Sequence, residues 1–403
     1  MLRSFIQLTQ SGELGTLVEK LTLAGSTFDT EILEYKLSCA PTEAEAISWR
    51  RIVDYLHAQR RGCDDFHASG EDVRLLTQVF ANLQNAQPRR FRTLSLQVKV
   101  FRNSPQPSSL NAPPAHASHS DPALIHQVAA QTFEVAMKAA VASSLSMEEL
   151  DAYDGPSMRG CSIPCQQQQQ LACHRSQSVA SQLASLRSLS LSLGYLDGTD
   201  DFTWVAQLVS QAQNLVSLRL HLFKQSQRIL GRQYLMQALA KQGNLPKLRL
   251  CSLRGLGVNI EDLLPFLHQT TPRVLMLRKV QAHASTWRSV LDHIASATTT
   301  TASNGFYLCD LFETMHARHV VFDGVGARQH VLRGPYGSNV LERKGQDVEE
   351  HIAYRFAGAP TLANLPSYRL WQAYRKAKYG SYATNQAGQP MSHRKVEYGP
   401  YTT

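Results

Sequence analysis

The chain has 403 residues, 43% hydrophobic and 18% charged, with a net charge of +9. That length supports two or three ordinary domains or one long solenoid, and that balance excludes a disordered chain. No run approaches the ~18 apolar residues of a membrane-spanning helix, and the opening MLRSFIQLTQSGEL turns polar too early for a secretory signal. Seven thinly spread cysteines fit reduced thiols better than a disulfide framework. A protein of the cytoplasm or nucleus is expected, with no membrane partner. The positive balance suits acidic partners, nucleic acid included, but no dense Lys/Arg run marks a nucleic-acid patch, and a solvated basic surface is the preferred reading.

After a short helix-like start, LVEKLTL (17–23) reads as a strand with Leu17, Leu21 and Leu23 apolar. Residues 42–61 predict an amphipathic helix, with Thr42 and Glu45 as a capping box and Ile47, Val53 and Leu56 close to one stripe. Asp64 and Asp65 are expected in a polar loop after it. Residues 70–86 predict a second helix on Val73, Leu76, Phe80 and Leu83. RFRTLSLQVKV then alternates as a strand through Phe91, Leu94, Leu96 and Val98. Residues 1–102 thus form an N-terminal repeat region, and the Pro/Ser-rich segment 103–122 is a linker or loop.

Residues 123–145 predict a long alanine-rich helix whose small residues favour close packing, and Ser146 with Glu149 a further short turn. The segment 154–178 holds Gln166–Gln170 and reads as a mobile low-complexity loop. A zinc reading would take Cys161, Cys165, Cys173 and His174. Structural zinc usually draws paired ligands from two separated knuckles, so the loop reading is preferred, and no metal or other cofactor is expected.

The organising stretch follows. Leucines recur at the spacing L-x-x-L-x-L in Leu186/Leu189/Leu191 and Leu215/Leu218/Leu220. A looser copy is Leu245/Leu248/Leu250, with Leu253 offering an alternative register, and a weaker one is Val274/Leu275/Leu277. In each L-x-L step both leucines share one face of a strand. The copies recur roughly every 30 residues, at the upper end of the ~20–29-residue leucine-rich-repeat range. Helical spacing fills the gaps, at 201–213, 228–242, 259–269 and 285–297. Strand, helix, strand at such an interval predicts an α/β fold, an irregular leucine-rich-repeat solenoid of short parallel strands alternating with helices, centred on 123–297. Beyond the loop 298–305 the leucine pattern stops. Residues 298–403 are expected to cap the array, with a strand at 319–324, a basic-aromatic helix at 370–380 and a polar tail.

No Walker A loop, H-E-x-x-H or G-x-S-x-G elbow occurs, and a non-enzymatic binding protein is expected. Alternation places the residues between the leucines outward. Arg187, Ser190, Ser217, Arg219, Arg249 and Ser252 are therefore the candidate partner-binding residues. The alternatives are a free-standing repeat scaffold and a nucleic-acid-associated protein using the cluster Trp371, Tyr374, Arg375, Lys376, Lys378 and Tyr379.

Five stretches carry a family resemblance: LVEKLTLAGSTFDTEIL (17–33), AAQTFEVAMKAAVASSLSMEEL (129–150), LRSLSLSL (186–193), LPKLRLCSLRGLGVNIEDLLPFL (245–267) and STWRSVLDHI (285–294), with FYLCDLFE (306–313) continuing them. With them the chain resembles filamentous-fungal F-box proteins that carry irregular leucine-rich repeats. The resemblance implies repeats that recruit a substrate to a cullin–RING ubiquitin ligase, with an F-box docking the Skp adaptor. The F-box itself is not visible: Met1 leads at once into what resembles the region after it. No functional residue transfers, because no motif fixes the family's substrate contacts.

Overall fold

In the computed structural model, residues 2–10, 15–86, 91–101, 122–154, 161–164, 183–194, 202–223, 234–242, 245–283, 285–300, 305–314, 318–328 and 338–358 are described. They form a mixed α/β protein dominated by parallel strands. The chain divides into two compact units, residues 1–256 with 265–272, and residues 257–264 with 273–403.

The first unit is built on a row of parallel strands, β1 (Lys20–Phe28), β2 (Thr93–Phe101), β3 (Glu149–Ala152), β5 (Ser188–Gly194), β6 (Ser217–Phe223) and β7 (Leu250–Arg254), each hydrogen-bonded to the next. The two-residue β4 (Ile163–Pro164) lies along the end of β5. Register turns the leucine spacing into a core. One inward row is Leu21, Leu94, Leu150, Leu189, Leu218 and Cys251; the next is Leu23, Leu96, Ala152, Leu191, Leu220 and Leu253. From β2 onward all of these are buried, while the two β1 leucines are half-buried. Each fully buried leucine contributes about 1.5–3 kcal/mol. Strand starts are locked level by a recurring device: one carbonyl accepts two successive amides of the next strand. Glu19, Arg92, Glu148, Arg187 and Val216 supply those carbonyls.

Helices cover this unit's core. They are α1 (Leu2–Gln10), α2 (Glu31–Ser38), α3 (Glu43–Ala68), α4 (Glu71–Ala86), α5 (Pro122–Ala142), α6 (Thr203–Gln211) and α7 (Tyr234–Ala240). The expected capping box starts α3, where Thr42 Oγ1 accepts the Glu45 amide at 3.3 Å. Its helix runs on to Ala68, so Asp64 and Asp65 lie on a helix rather than in a loop. α5 packs on β1, β2, β4 and α4. Its small inward residues Ala129, Ala136, Ala139 and Ala140 are buried. Close approach is matched on the strand by Gly25, where a Cβ would run into Val128 and Thr132 of α5.

Three further expectations need correction. The turn expected at Ser146–Glu149 leads into β3, whose inward set Met147, Leu150 and Ala152 is another copy of the repeat with Met and Ala in two leucine places. Of the Pro/Ser-rich segment 103–122, all but Pro122 lies outside the described residues; β2 and β3, on either side of it, pair in one sheet. In the third copy, Leu250 pairs with outward Ser217, and Cys251 fills the inward place. The alternative register through Leu253 is the one adopted. Lastly, the leucine pattern, expected to stop beyond 298–305, has one more copy in Phe306 and Leu308, and the strand expected at 319–324 is present at Arg318–Asp323.

The second unit contains β8 (Gly257–Val258), β9 (Val274–Arg278), β10 (Gln281–Ala282), α9 (Arg288–Thr300), β11 (Gly305–Cys309), β12 (Phe312–Glu313), β13 (Arg318–Asp323), β14 (Ala327–Arg328), β15 (Val340–Lys344) and β16 (Ala353–Gly358). The helix α8 (Ile260–Thr270) contributes to both units. β9 and β11 are parallel, Leu275 opposite Phe306 and Leu277 opposite Leu308, so the pattern carries on with an aromatic in a leucine place. β15 closes antiparallel on β11, and β14 on β15. A second sheet runs β16-β13-β12-β10-β8. Two buried charges order this unit. Glu313 accepts the Trp287 amide at 3.0 Å and the Arg318 guanidinium at 2.9 Å. Arg343 donates to the backbone carbonyls of Val325, Glu350 and His351.

A candidate interaction surface

Opposite each inward leucine row, the strands of the first unit carry polar side chains. One outward row is Thr22, Ser95, Asp151, Ser190, Arg219 and Ser252, one residue from each strand. A second is Lys20, Thr93, Glu149, Ser188, Ser217 and Leu250. Register, not sequence nearness, brings these residues together.

Four of the six predicted residues fall on the adjacent strands β5, β6 and β7, and the other two at their starts. Ser190, Arg219 and Ser252 are register partners in one row, and Ser217 lies in the next. Arg187 and Arg249 immediately precede β5 and β7. The Arg187 carbonyl accepts the Val216 and Ser217 amides, and the Arg249 amide is given to Val216. Arg187, Arg219 and Arg249 are exposed, Ser217 and Ser252 half-buried. Ser190 departs from the expectation: it is only 6% exposed. Its hydroxyl donates to Asp154 Oδ2 at 2.7 Å, and the Arg219 guanidinium stands 3.9 Å from the same oxygen.

That contact reveals functional candidates the alternation rule does not reach. Asp154 belongs to the turn after β3, and its amide donates to Asp151 Oδ1 at 3.2 Å. Burial pushes the Asp151 carboxyl above its ordinary value, the neighbouring Asp154 charge adds to this, and the Asp154 amide, Lys20 and Arg219 pull the other way. Beside it Thr93 donates to Glu149 at 3.0 Å. The only sequence signal for this cluster is the acidic run Glu148, Glu149, Asp151 and Asp154. Pairing of β3 between β2 and β5 brings that run onto the outward face.

The surface is a set of guanidinium, carboxylate and mostly half-buried hydroxyl groups held by a parallel sheet. Its chemistry is that of polar recognition. Of the zinc alternative, Cys165, Cys173 and His174 lie outside the described residues. Cys161 is buried and its thiol is pushed up to about 12 by desolvation, away from the thiolate a metal needs. Among the described residues no group of three or more His, Cys, Asp or Glu is placed to hold a metal, and no helix is long and apolar enough to cross a membrane. The cluster at 371–379 also lies outside the described residues. Compared with models of known families and with curated proteins, the chain matches none.

Proposed function

We propose that this chain is a non-enzymatic binding protein of the irregular leucine-rich-repeat type. Its partner rests on the outward rows of β5–β7, and it acts as, or derives from, the substrate receptor of a cullin–RING ubiquitin ligase. The observation that carries the binding reading is the in-register polar row beginning at Thr22 and ending at Ser252. A ladder of this kind, exposed at Thr22 and Arg219 and half-buried at Asp151 and Ser252, offers a partner several weak contacts at fixed spacing, which is how repeat arrays bind. The repeat reading is supported by the six-residue inward motif shared by β2, β3, β5, β6 and β7, with helices between most of them. The ligase reading is supported by the resemblance at 17–33, 129–150, 186–193 and 245–267.

Affinity purification of the tagged chain from its own cells, read by mass spectrometry, tests both. Recovery of a Skp adaptor and a cullin together with a further protein supports the receptor reading. The double variant Arg219→Glu, Arg249→Glu is expected to weaken capture of that further protein about tenfold, the effect of removing two favourable charge contacts, with the thermal midpoint unchanged because both side chains are exposed. Full capture by the variant overturns the surface. Partners without adaptor or cullin overturn the ligase role and leave a free-standing scaffold.

A further inference from the structure

The outward face changes sign along the sheet. Around β3 it is acidic, through Glu148, Glu149, Asp151 and Asp154. From the residue before β5 to the end of β7, the three strands and the residues that immediately precede them bring Arg187, Arg219, Arg249 and Arg254 and no aspartate or glutamate. Among the described residues no carboxylate pairs with Arg187 or Arg249.

The protein itself shows how this face holds an anion. Asp154 lies against it with one oxygen taking the Ser190 hydroxyl at 2.7 Å and facing the Arg219 guanidinium at 3.9 Å. The register pair recurs once, between Arg219 and Ser252 on β7, and exposed Arg187 and Arg249 flank it at the strand starts, level with Val216. Ser217 follows the position level with Arg187. Serine and arginine together supply a hydroxyl and a forked cation, the donors that a carboxylate accepts best.

We propose that the β5–β7 face binds an extended acidic peptide segment of the partner, whose Asp or Glu carboxylates settle between serine and arginine as Asp154 does. The proposal rests on the protein-binding reading of this surface and names the chemistry of what it binds. Spacing agrees with it. Arg187 and Arg249 start strands two apart, about 10 Å across the sheet. A polyproline-type chain returns a side chain to the same side every third residue, after about 9 Å. The ring side chains at outward positions on β5–β7, His221 and position 223, are on β6 alone, not on strand after strand as a run of stacked bases needs, and a peptide is the favoured anion.

The test uses the full chain and a fluorescein-labelled peptide of Glu-Pro-Pro repeats, with Gln-Pro-Pro and Lys-Pro-Pro peptides and an oligouridylate as comparisons. Fluorescence anisotropy should show binding of the Glu peptide alone, weakening as salt rises and screens the charges. The variant Arg187→Glu, Arg249→Glu should bind it about tenfold more weakly with an unchanged circular dichroism spectrum, and Arg187→Lys, Arg249→Lys should retain most of the binding. Equal binding of the Gln peptide, equal or tighter binding of oligouridylate, or an unaffected charge-reversal variant overturns the proposal. Partner capture from cells is measured on the same variants. Capture lost while the Glu peptide never binds keeps the surface and removes the acidic ligand. Glu-peptide binding with capture unaffected by reversal removes the surface's role in partner binding and keeps the anion site.

Discussion

Gly255, Lys279 and Asp310 occupy one place in the backbone. Each follows a main strand, each has a left-handed φ (72°, 54° and 54°), and each is followed by a buried apolar residue, Leu256, Val280 or Leu311. The short strands β8, β10 and β12 begin right after. The geometry is common to all three while the tolerance of the side chain is not, since a Cβ in the left-handed region costs roughly 1–2 kcal/mol. At Gly255 the demand is double, because a Cβ would also run into the Leu222 carbonyl oxygen. Gly255→Ala is therefore expected to destabilise the protein by at least about 2 kcal/mol. Lys279→Gly works the other way: relief of strain exceeds the ~0.5–1 kcal/mol entropic disadvantage of glycine, for a net gain of up to about 1 kcal/mol. Urea denaturation of both variants checks the pair; a loss of stability in Lys279→Gly would refute the strain argument. Asp310 is held differently, with its amide given to the Asn339 carbonyl and its carboxylate taking the Asn339 side-chain amide.

At the scale of the strand, what decides position is which residue of each six-residue motif faces the leucine row. Leu248, Cys251 and Leu253 are buried, while Leu250 stands outward beside Ser217. Leu253→Ala should thus cost about 2–5 kcal/mol, whereas Leu250→Ser, at a half-buried outward position, should cost no more than about 1 kcal/mol. Cys251, fully buried and with its thiol pushed up to about 12 by desolvation, should resist alkylation in the folded protein while exposed Cys39 reacts. Mass mapping of alkylated sites reads this directly, and rapid labelling of Cys251 would return β7 to the register through Leu250. The same comparison explains what was legible beforehand. β5 and β6 were plain because their motifs are leucine throughout. β3 was hidden by Met147 and Ala152, and β11 by Phe306, since volume and burial matter to the row while spelling does not. On β7 the leucine at 250 drew the register to the wrong parity, and only pairing with β6 corrects it. Of the candidate surface, alternation located Arg219 and Ser252. It could not foresee the burial of Ser190, which comes from Asp154, a residue 36 positions away brought near by register.

For the whole molecule, the path of the chain matters more than its length. It crosses between the two units at 256/257, at 264/265 and again at 272/273. The first unit is therefore not a contiguous piece of sequence: it needs 265–272, the second half of α8 and the residues after it. That segment carries buried Phe266 and Leu267, and its Thr270 carbonyl accepts the Leu248 amide at 2.9 Å, just ahead of β7. Burying one Phe and one Leu is worth about 3–6 kcal/mol in all, against a typical domain stability of about 5–15 kcal/mol. A fragment ending at 256 should consequently be several kcal/mol less stable than one ending at 272, enough to leave it partly unfolded. Loss should appear first at β7, whose approach segment has lost its hydrogen-bond acceptor. Hydrogen exchange on the two fragments measures it: amides of β7 are expected to exchange fast in 1–256 and slowly in 1–272, with β2 protected in both. Equal protection of β7 in the two fragments would mean that 265–272 adds nothing to the first unit. The arginine face, which takes Ser252 and Arg254 from that strand, would then stand without the second half of α8.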